Sequence, residues 1–257
     1  MSIMDFSGKN FLVIGAGISG RAASLALAGH GGSVTLNDMK AIDTAEQPWP
    51  DIKAAGVQLV FGSQETALLD GMDVVVPSPV ISPEIPIMKE AARRGLPIWS
   101  EVEVACRVTD ADMIGITGTN GKTTTTTLVG EIMKATGRQT VVGGNIGYGL
   151  SAQADNLPKE AVVVAELSSF QLEFTHSIKA KAATILNITP DHLDRHHTME
   201  GYAAAKERIF LNQDKGDYAV LNYDDERVRA MAKDMTGTVV YFSTCGEVPK
   251  GAFYRDG

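Results

Sequence analysis

The sequence predicts an α/β protein, a Rossmann-like N-terminal domain followed by a P-loop-type α/β ATPase domain. Three observations point there: short apolar runs alternate with helical stretches, a glycine turn follows the first run, and a second glycine loop follows a later one. Phe11–Ile14, Val34–Asn37, Gln58–Phe61, Val74–Val76 and Ile98–Trp99 read as strands, and Ser19–Ala28 and Ile85–Gly95 as helices, the second stopped by Gly95. Short runs buried on both faces suit parallel strands covered by helices. Residues 107–112 read as a linker, dividing the chain into 1–109 and 110–257. Further strands are expected near Val141–Val142, Ala161–Ala165, Ala183–Asn187, Ala219–Asn222 and Val239–Ser243. From Gly246 the chain reads as a turn running into Ala252-Phe253-Tyr254-Arg255 and stops where another strand should pair, so the last domain is expected to be incomplete, as in a fragment cut inside a domain.

Composition narrows the function classes. The 257 residues are 44% hydrophobic, enough for real cores, and the net charge of −8 with scattered Lys and Arg offers no field for nucleic acid. Cys106 and Cys245 lack metal-ligand spacing and read as free thiols in a reducing cytosol. No stretch approaches the ~18 apolar residues of a membrane span. A cytoplasmic monomer is expected.

The most informative segment is Met113–Thr125. An apolar strand runs into Gly118-Thr119-Asn120-Gly121-Lys122-Thr123-Thr124, and a helix begins. Glycines let backbone N–H groups turn inward around an anion, and the helix N-terminus adds partial positive charge. Lys122 supplies a point charge to phosphate oxygens, and the Thr123 hydroxyl is placed to ligate Mg²⁺. The common phosphate-loop pattern needs a further glycine where Ile116 stands, so this loop is shorter. A plain polar turn is the bland alternative, but the order strand, two glycines, Lys-Thr, helix makes it a minority reading. The threonine run Thr123–Thr127 is poor helix material, which favours one or two hydroxyls binding something.

Gly15-Ala16-Gly17-Ile18-Ser19-Gly20 follows the first strand, and Asp38 ends the second, about 20 residues on, as in a dinucleotide fingerprint. Physically this places a diphosphate at a helix N-terminus with a ribose nearby. A nicotinamide cofactor and a sugar nucleotide both meet that description, so the base stays open.

Glu166 closes the strand Val162–Ala165, where a carboxylate beside a phosphate loop holds Mg²⁺ directly or through water; helix capping is the alternative. Asn187–Asp194 puts His192 and two carboxylates on the same edge, although a lone His is more often structural. His196 and His197 read as surface residues. Asn145, in Gly143–Gly147, offers an amide to a substrate, and Lys206 reads as an ordinary helix-surface lysine.

Taken together, the loop 118–124, Gly143–Gly147, Glu166–Glu173 and Asn187–Arg195 resemble the Mur ligases. The resemblance runs nearly the length of the chain, and the loop departs from the general pattern as the family's ATP loop does. It implies an ATP- and Mg²⁺-dependent amide-forming ligase of peptidoglycan precursor synthesis, with UDP-N-acetylmuramoyl-L-alanine and D-glutamate as substrates. By position it implies that Lys122 contacts ATP phosphates, that Thr123 and Glu166 serve one Mg²⁺ and that His192 serves a second. Lys206 matches the lysine that the family carbamylates, and Asn145 a UDP-sugar contact. Gly15, Gly17, Gly20, Ile18, Ser19, Asp38, Met39, Lys40 and Ser78 match the uridine-nucleotide pocket. The resemblance also implies a C-terminal, D-glutamate-binding domain beyond this sequence, so this chain alone is expected to bind the UDP substrate with little ligase activity. The competing reading, an NAD-dependent oxidoreductase, rests on Gly15–Gly20 and Asp38 alone.

Overall fold

The computed structural model describes residues 3–255 and divides into two compact units: 1–110 with 147–157, and 111–146 with 158–257. The sequence reading kept 110–257 continuous; the excursion 147–157, whose helix packs within the first unit, was not foreseen. Among the described residues no helix is long and apolar enough to cross a membrane.

The first unit is built on β1 (Asn10–Ile14), α1 (Ile18–Gly29), β2 (Ser33–Asp38), α2 (Trp49–Ala54), β3 (Gln58–Phe61), β4 (Val74–Pro77), α3 (Pro86–Arg93) and α4 (Glu101–Val108). Its four strands are parallel in the order β3-β2-β1-β4. Phe11 to Ile14 are all fully buried because alternate side chains enter different cores. Phe11 and Val13 join Ala23, Ala26 and Leu27 of α1 and Val104 and Val108 of α4. Leu12 and Ile14 join Ile87, Met88 and Ala91 of α3. The order reverses between β1 and β4, and this switch point opens at the strand C-termini, where Gly15 and Ser78 lie.

The second unit contains β5 (Asp112–Thr117), α5 (Lys122–Ala135), β6 (Thr140–Gly144), β7 (Val162–Glu166), α7 (Ser169–Glu173), β8 (Ala180–Ile185), α8 (Leu193–His196), α9 (Met199–Glu207), β9 (Tyr218–Asn222), α10 (Glu226–Ala230), β10 (Thr238–Ser243) and β11 (Gly251–Phe253); the excursion's helix is α6 (Leu150–Ala154). All seven strands are parallel, ordered β11-β10-β9-β8-β5-β7-β6. Ile116, Val162 and Val164 pack against Val129 and Met133 of α5.

Several local expectations change. Ile98 makes only a single bridge to Val75, because Ser100 caps α4 almost at once, its hydroxyl accepting from Glu103 N at 3.0 Å. Arg107 and Val108 finish that helix and are no linker. β8 ends at Ile185, two residues early, because Asn187 leaves the sheet to hold the glycine loop. After the turn that begins at Gly246, Gly251–Phe253 pairs with β10 as a further short strand.

Both tryptophans, Trp49 and Trp99, lie in the first unit, so indole fluorescence reports its unfolding alone. Leu12→Ala, at a fully buried position, is expected to cost about 2–5 kcal/mol in that transition. Urea titration followed by fluorescence measures it, and an unchanged midpoint would contradict the packing.

Candidate functional site

The two longest described helices, α1 and α5, begin without a side-chain cap or an acidic first turn, as the shorter α3 and α6 also do. α4, α7, α9 and α10 start on Ser100, Ser168, Thr198 and Asp225, whose side chains accept from the first turn. α1 and α5 instead start on Gly17 and Gly121, with no side-chain cap and no acidic residue in the first turn. Uncapped N–H groups and an uncompensated dipole attract an anion. These are the helices that follow the two glycine loops.

In the first unit, Asp38 closes the turn: its carboxylate accepts from Ala16 N and Lys40 N, each at 2.9 Å. Ser78 Oγ, buried, donates to Gly15 O at 3.1 Å. A side chain on Gly20 would run into the Gly15 carbonyl, so this position must be glycine for helix and turn to close up. Ile18 and Met39 are exposed large apolar side chains at this edge and Lys40 is exposed beside them, which suits a planar base with a nearby anion. Asp38 thus shapes the glycine turn through the backbone.

In the second unit, Gly121 has φ +83°, a left-handed conformation that turns the chain into α5. Asn187 clamps the loop: its Oδ1 accepts from Asn120 N at 2.8 Å and Thr119 N at 3.1 Å, and its Nδ2 donates to Asn120 O. The Thr119 hydroxyl also meets Tyr202 Oη at 3.2 Å and accepts from Thr189 N. Lys122 Nζ donates to Gly118 O at 3.0 Å and Thr119 O at 2.9 Å, within the loop that it would serve. The register pairs Ile116 with Glu166 on adjacent strands, which brings the carboxylate beside the loop. Glu166 is buried; Oε1 accepts from Asn145 Nδ2 at 2.9 Å, and Oε2 has no partner among the described residues. A buried carboxylate oxygen without a donor is an open contact for a cation or water.

Lys206 is the main correction. It is not a surface lysine: it is 1% exposed, its Nζ donates to Gly118 O at 2.9 Å and lies 4.5 Å from the Tyr202 ring centroid. Burial, and then the charge of Lys122, push its pKa down to about 7. His196 is also not a surface residue. It packs on Phe170 and Tyr202, its Nε2 meets Ser169 Oγ at 2.9 Å, and burial lowers its pKa. His192 is exposed, in a left-handed conformation at φ 52°, with its ring 4.7 Å from Phe170.

The donor set fits Mg²⁺ bound with a nucleotide. Mg²⁺ usually takes one or two carboxylates plus waters and phosphate oxygens. Glu166 offers the unpartnered oxygen, and Thr123 an exposed position at the start of α5. Among the described residues, no three His, Cys, Asp or Glu side chains converge into a cage. Asn187 and Tyr202 were missed as loop-holding residues. A polar residue at a strand end before Thr-Pro was the available signal for Asn187; Tyr202 carried none.

The model of the Mur ligase middle domain matches residues 116–255. The chain is 47% identical over 252 residues to a UDP-N-acetylmuramoylalanine–D-glutamate ligase of Desulfitobacterium hafniense, covering 96% of this chain and 54% of that protein. It is 44% identical to the protein of the same name from Pelotomaculum thermopropionicum, covering 99% and 56%. The chain therefore spans about half the length of the curated relatives it matches. Among solved structures it is similar to a UDP-N-acetylmuramate:L-alanyl-gamma-D-glutamyl-meso-diaminopimelate ligase from Neisseria meningitides, with TM-score 0.60, 19% identity, and 91% and 78% of the two chains covered. It is similar too to a UDP-N-acetylmuramate-alanine ligase from Thermotoga maritima, with TM-score 0.53, 21% identity, and 93% and 53% covered. These last two likenesses speak to the fold alone.

Because the Lys206 pKa is lowered from 10.5, its neutral amine accumulates as pH rises through about 7. Carbon-13 NMR of labelled lysine is expected to show one side chain titrating near pH 7, with the midpoint moving up in Lys122→Ala. A midpoint near the ordinary value for every lysine would contradict the buried site.

Proposed function

Because the chain belongs to the Mur ligase family, we propose that its two units carry the UDP-substrate site and the ATP site of a ligase joining D-glutamate to UDP-N-acetylmuramoyl-L-alanine. The observation that carries this reading is the convergence of Lys122 and buried Lys206 on the Gly118 carbonyl of a glycine loop at an uncapped helix start, with Glu166 at the end of the adjacent strand. The names of the relatives at 44–47% identity support the choice of substrates.

The substrate's alanyl carboxylate attacks the γ-phosphorus of ATP, forming a carboxyl O–P bond while the bond to ADP breaks. The amine of D-glutamate then attacks the acyl carbon, phosphate leaves with the C–O bonding electrons, and the amine loses a proton. Both reactants of the first step are anions, so positive charge at the phosphates is the main requirement. Lys122 and the N-terminus of α5 provide it from this chain. Glu166 and Thr123 would hold Mg²⁺, which would neutralise phosphate charge, and His192 would serve a second ion.

Lys206 is proposed to be carbamylated. Its neutral amine adds to CO₂, an N–C bond forms and a proton is released, turning a buried cation into an anionic oxygen ligand. The exchange also removes the repulsion from Lys122. Asn145 contacts the UDP-sugar substrate. Gly15, Gly17, Ile18, Ser19, Gly20, Asp38, Met39, Lys40 and Ser78 form the uridine diphosphate pocket. An NAD-dependent oxidoreductase would leave Lys122, Lys206 and Glu166 without a task.

Calorimetric titration tests the reading. UDP-N-acetylmuramoyl-L-alanine is expected to bind saturably, and NADH not to bind. Lys122→Ala is expected to lose Mg-ATP binding by tenfold or more while keeping affinity for the UDP compound, on the scale of one charge-assisted phosphate contact. Tight NADH binding without UDP binding would sink the assignment.

A further inference from the structure

Glu101 is a buried carboxylate with no part in the proposed reaction. It sits in the first turn of α4, is 1% exposed, and its Oε1 accepts from Ser151 N at 2.5 Å and Ser151 Oγ at 2.6 Å. Its Oε2 is buried without a partner among the described residues. Ser151 belongs to α6, on the excursion that returns to the first unit at Gly147 and leaves it at Leu157. At Gly149 this excursion lies so close to α1 that a side chain would strike Ala22 and come within 3.6 Å of the Ile18 carbonyl. At the far end, His30 at the C-cap of α1 meets Asp155 Oδ1 through Nε2 at 2.7 Å. The excursion is therefore clasped at both ends against the helix whose N-terminus is assigned to the UDP diphosphate.

We propose that Glu101 is a positioning residue: through Ser151 it holds the excursion 147–157 against the first turn of α1, and ionisation of its carboxylate loosens this clasp. The proposal rests on the reading of that helix as part of the UDP pocket.

Among the described residues, no cation faces Glu101 to favour its charge. On its own helix, Arg107 is taken by buried Glu103 at 2.6 Å, and Cys106 is a thiol whose pKa burial and the two carboxylates raise. On α1, Arg21 reaches the Ala16 carbonyl and the Trp49 ring, and His30 is held by Asp155, the charged group next to α6. Burial raises the Glu101 pKa from 4.5 to about 7, against the opposing effect of the two Ser151 hydrogen bonds. When the excursion lifts away, the carboxylate regains water and its pKa falls. The clasped state then binds the proton more tightly than the open one, so closure is favoured at low pH and weakens as pH rises from about 4.5 to about 7. Between pH 6 and pH 8 the opening constant should change by about tenfold, at one factor of ten per pH unit inside that window.

Amide hydrogen exchange of residues 147–157 in the whole chain, corrected for the intrinsic effect of pH, is the test. Wild type should be protected about tenfold more at pH 6 than at pH 8. Glu101→Gln should show no such step, His30→Gln should keep it, and Ser151→Ala, which removes a donor that favours the carboxylate, should move it to higher pH. A step retained in Glu101→Gln, lost in His30→Gln, or absent from wild type overturns the proposal. With calorimetry, wild type should bind UDP-N-acetylmuramoyl-L-alanine several-fold more tightly at pH 6 than at pH 8, and Glu101→Gln equally at both. Exchange that steps while affinity stays flat overturns the positioning role. Wild type that binds no UDP compound at either pH overturns the UDP assignment and the positioning role resting on it, while exchange still decides the clasp.

Discussion

The Gly118 carbonyl accepts hydrogen bonds from two lysines, Lys122 of α5 and Lys206 of α9. A buried ammonium is costly unless its hydrogen bonds are made, and two like charges on one acceptor add repulsion. That tension gives the second unit its character. It depresses the Lys206 pKa, draws the Tyr202 ring over the amine, and ties α9 to a loop 88 residues earlier in the chain. The loop that carries the acceptor is itself fixed by Asn187 from the end of β8. The arrangement is one that an anion at the loop would relieve.

The two units solve the same problem with different parts. In each, a parallel strand delivers a glycine turn to the start of a helix that lacks a cap and an acidic first turn. In the first unit, the turn is held by a carboxylate, Asp38, reaching back to Ala16 N. In the second it is held by an amide, Asn187, which leaves the site free of added negative charge beside Lys122. The neutral clamp adds no negative charge to the loop proposed to take a triphosphate. The carboxylate at this site, Glu166, is set apart on β7 with one oxygen given to Asn145 and the other open.

Much of this was legible in the chain itself. Strands buried on both faces read as continuous apolar runs, so β1, β4 and β7 are legible close to their bounds. Glycine loops are local in sequence, so Gly118–Thr123 and Gly15–Gly20 could be assigned chemistry from spacing alone. Long-range side-chain contacts were not legible. His196 looked exposed because its partners, Ser169 and Phe170, come from a different element. The excursion 147–157 escaped notice because no break in composition marks where a chain returns to an earlier unit.

The sequence by itself determined the α/β class, the two glycine loops and the charge of the residues that follow them, because strand period, turn chemistry and helix starts act over a few neighbouring residues. Tertiary structure alone decided the state of the titratable groups. Lys206 and Glu101 are ordinary helix residues until the P-loop and Tyr202 enclose the one and α6 the other. Desolvation depends on which distant segments exclude water, and no local pattern of residues records that.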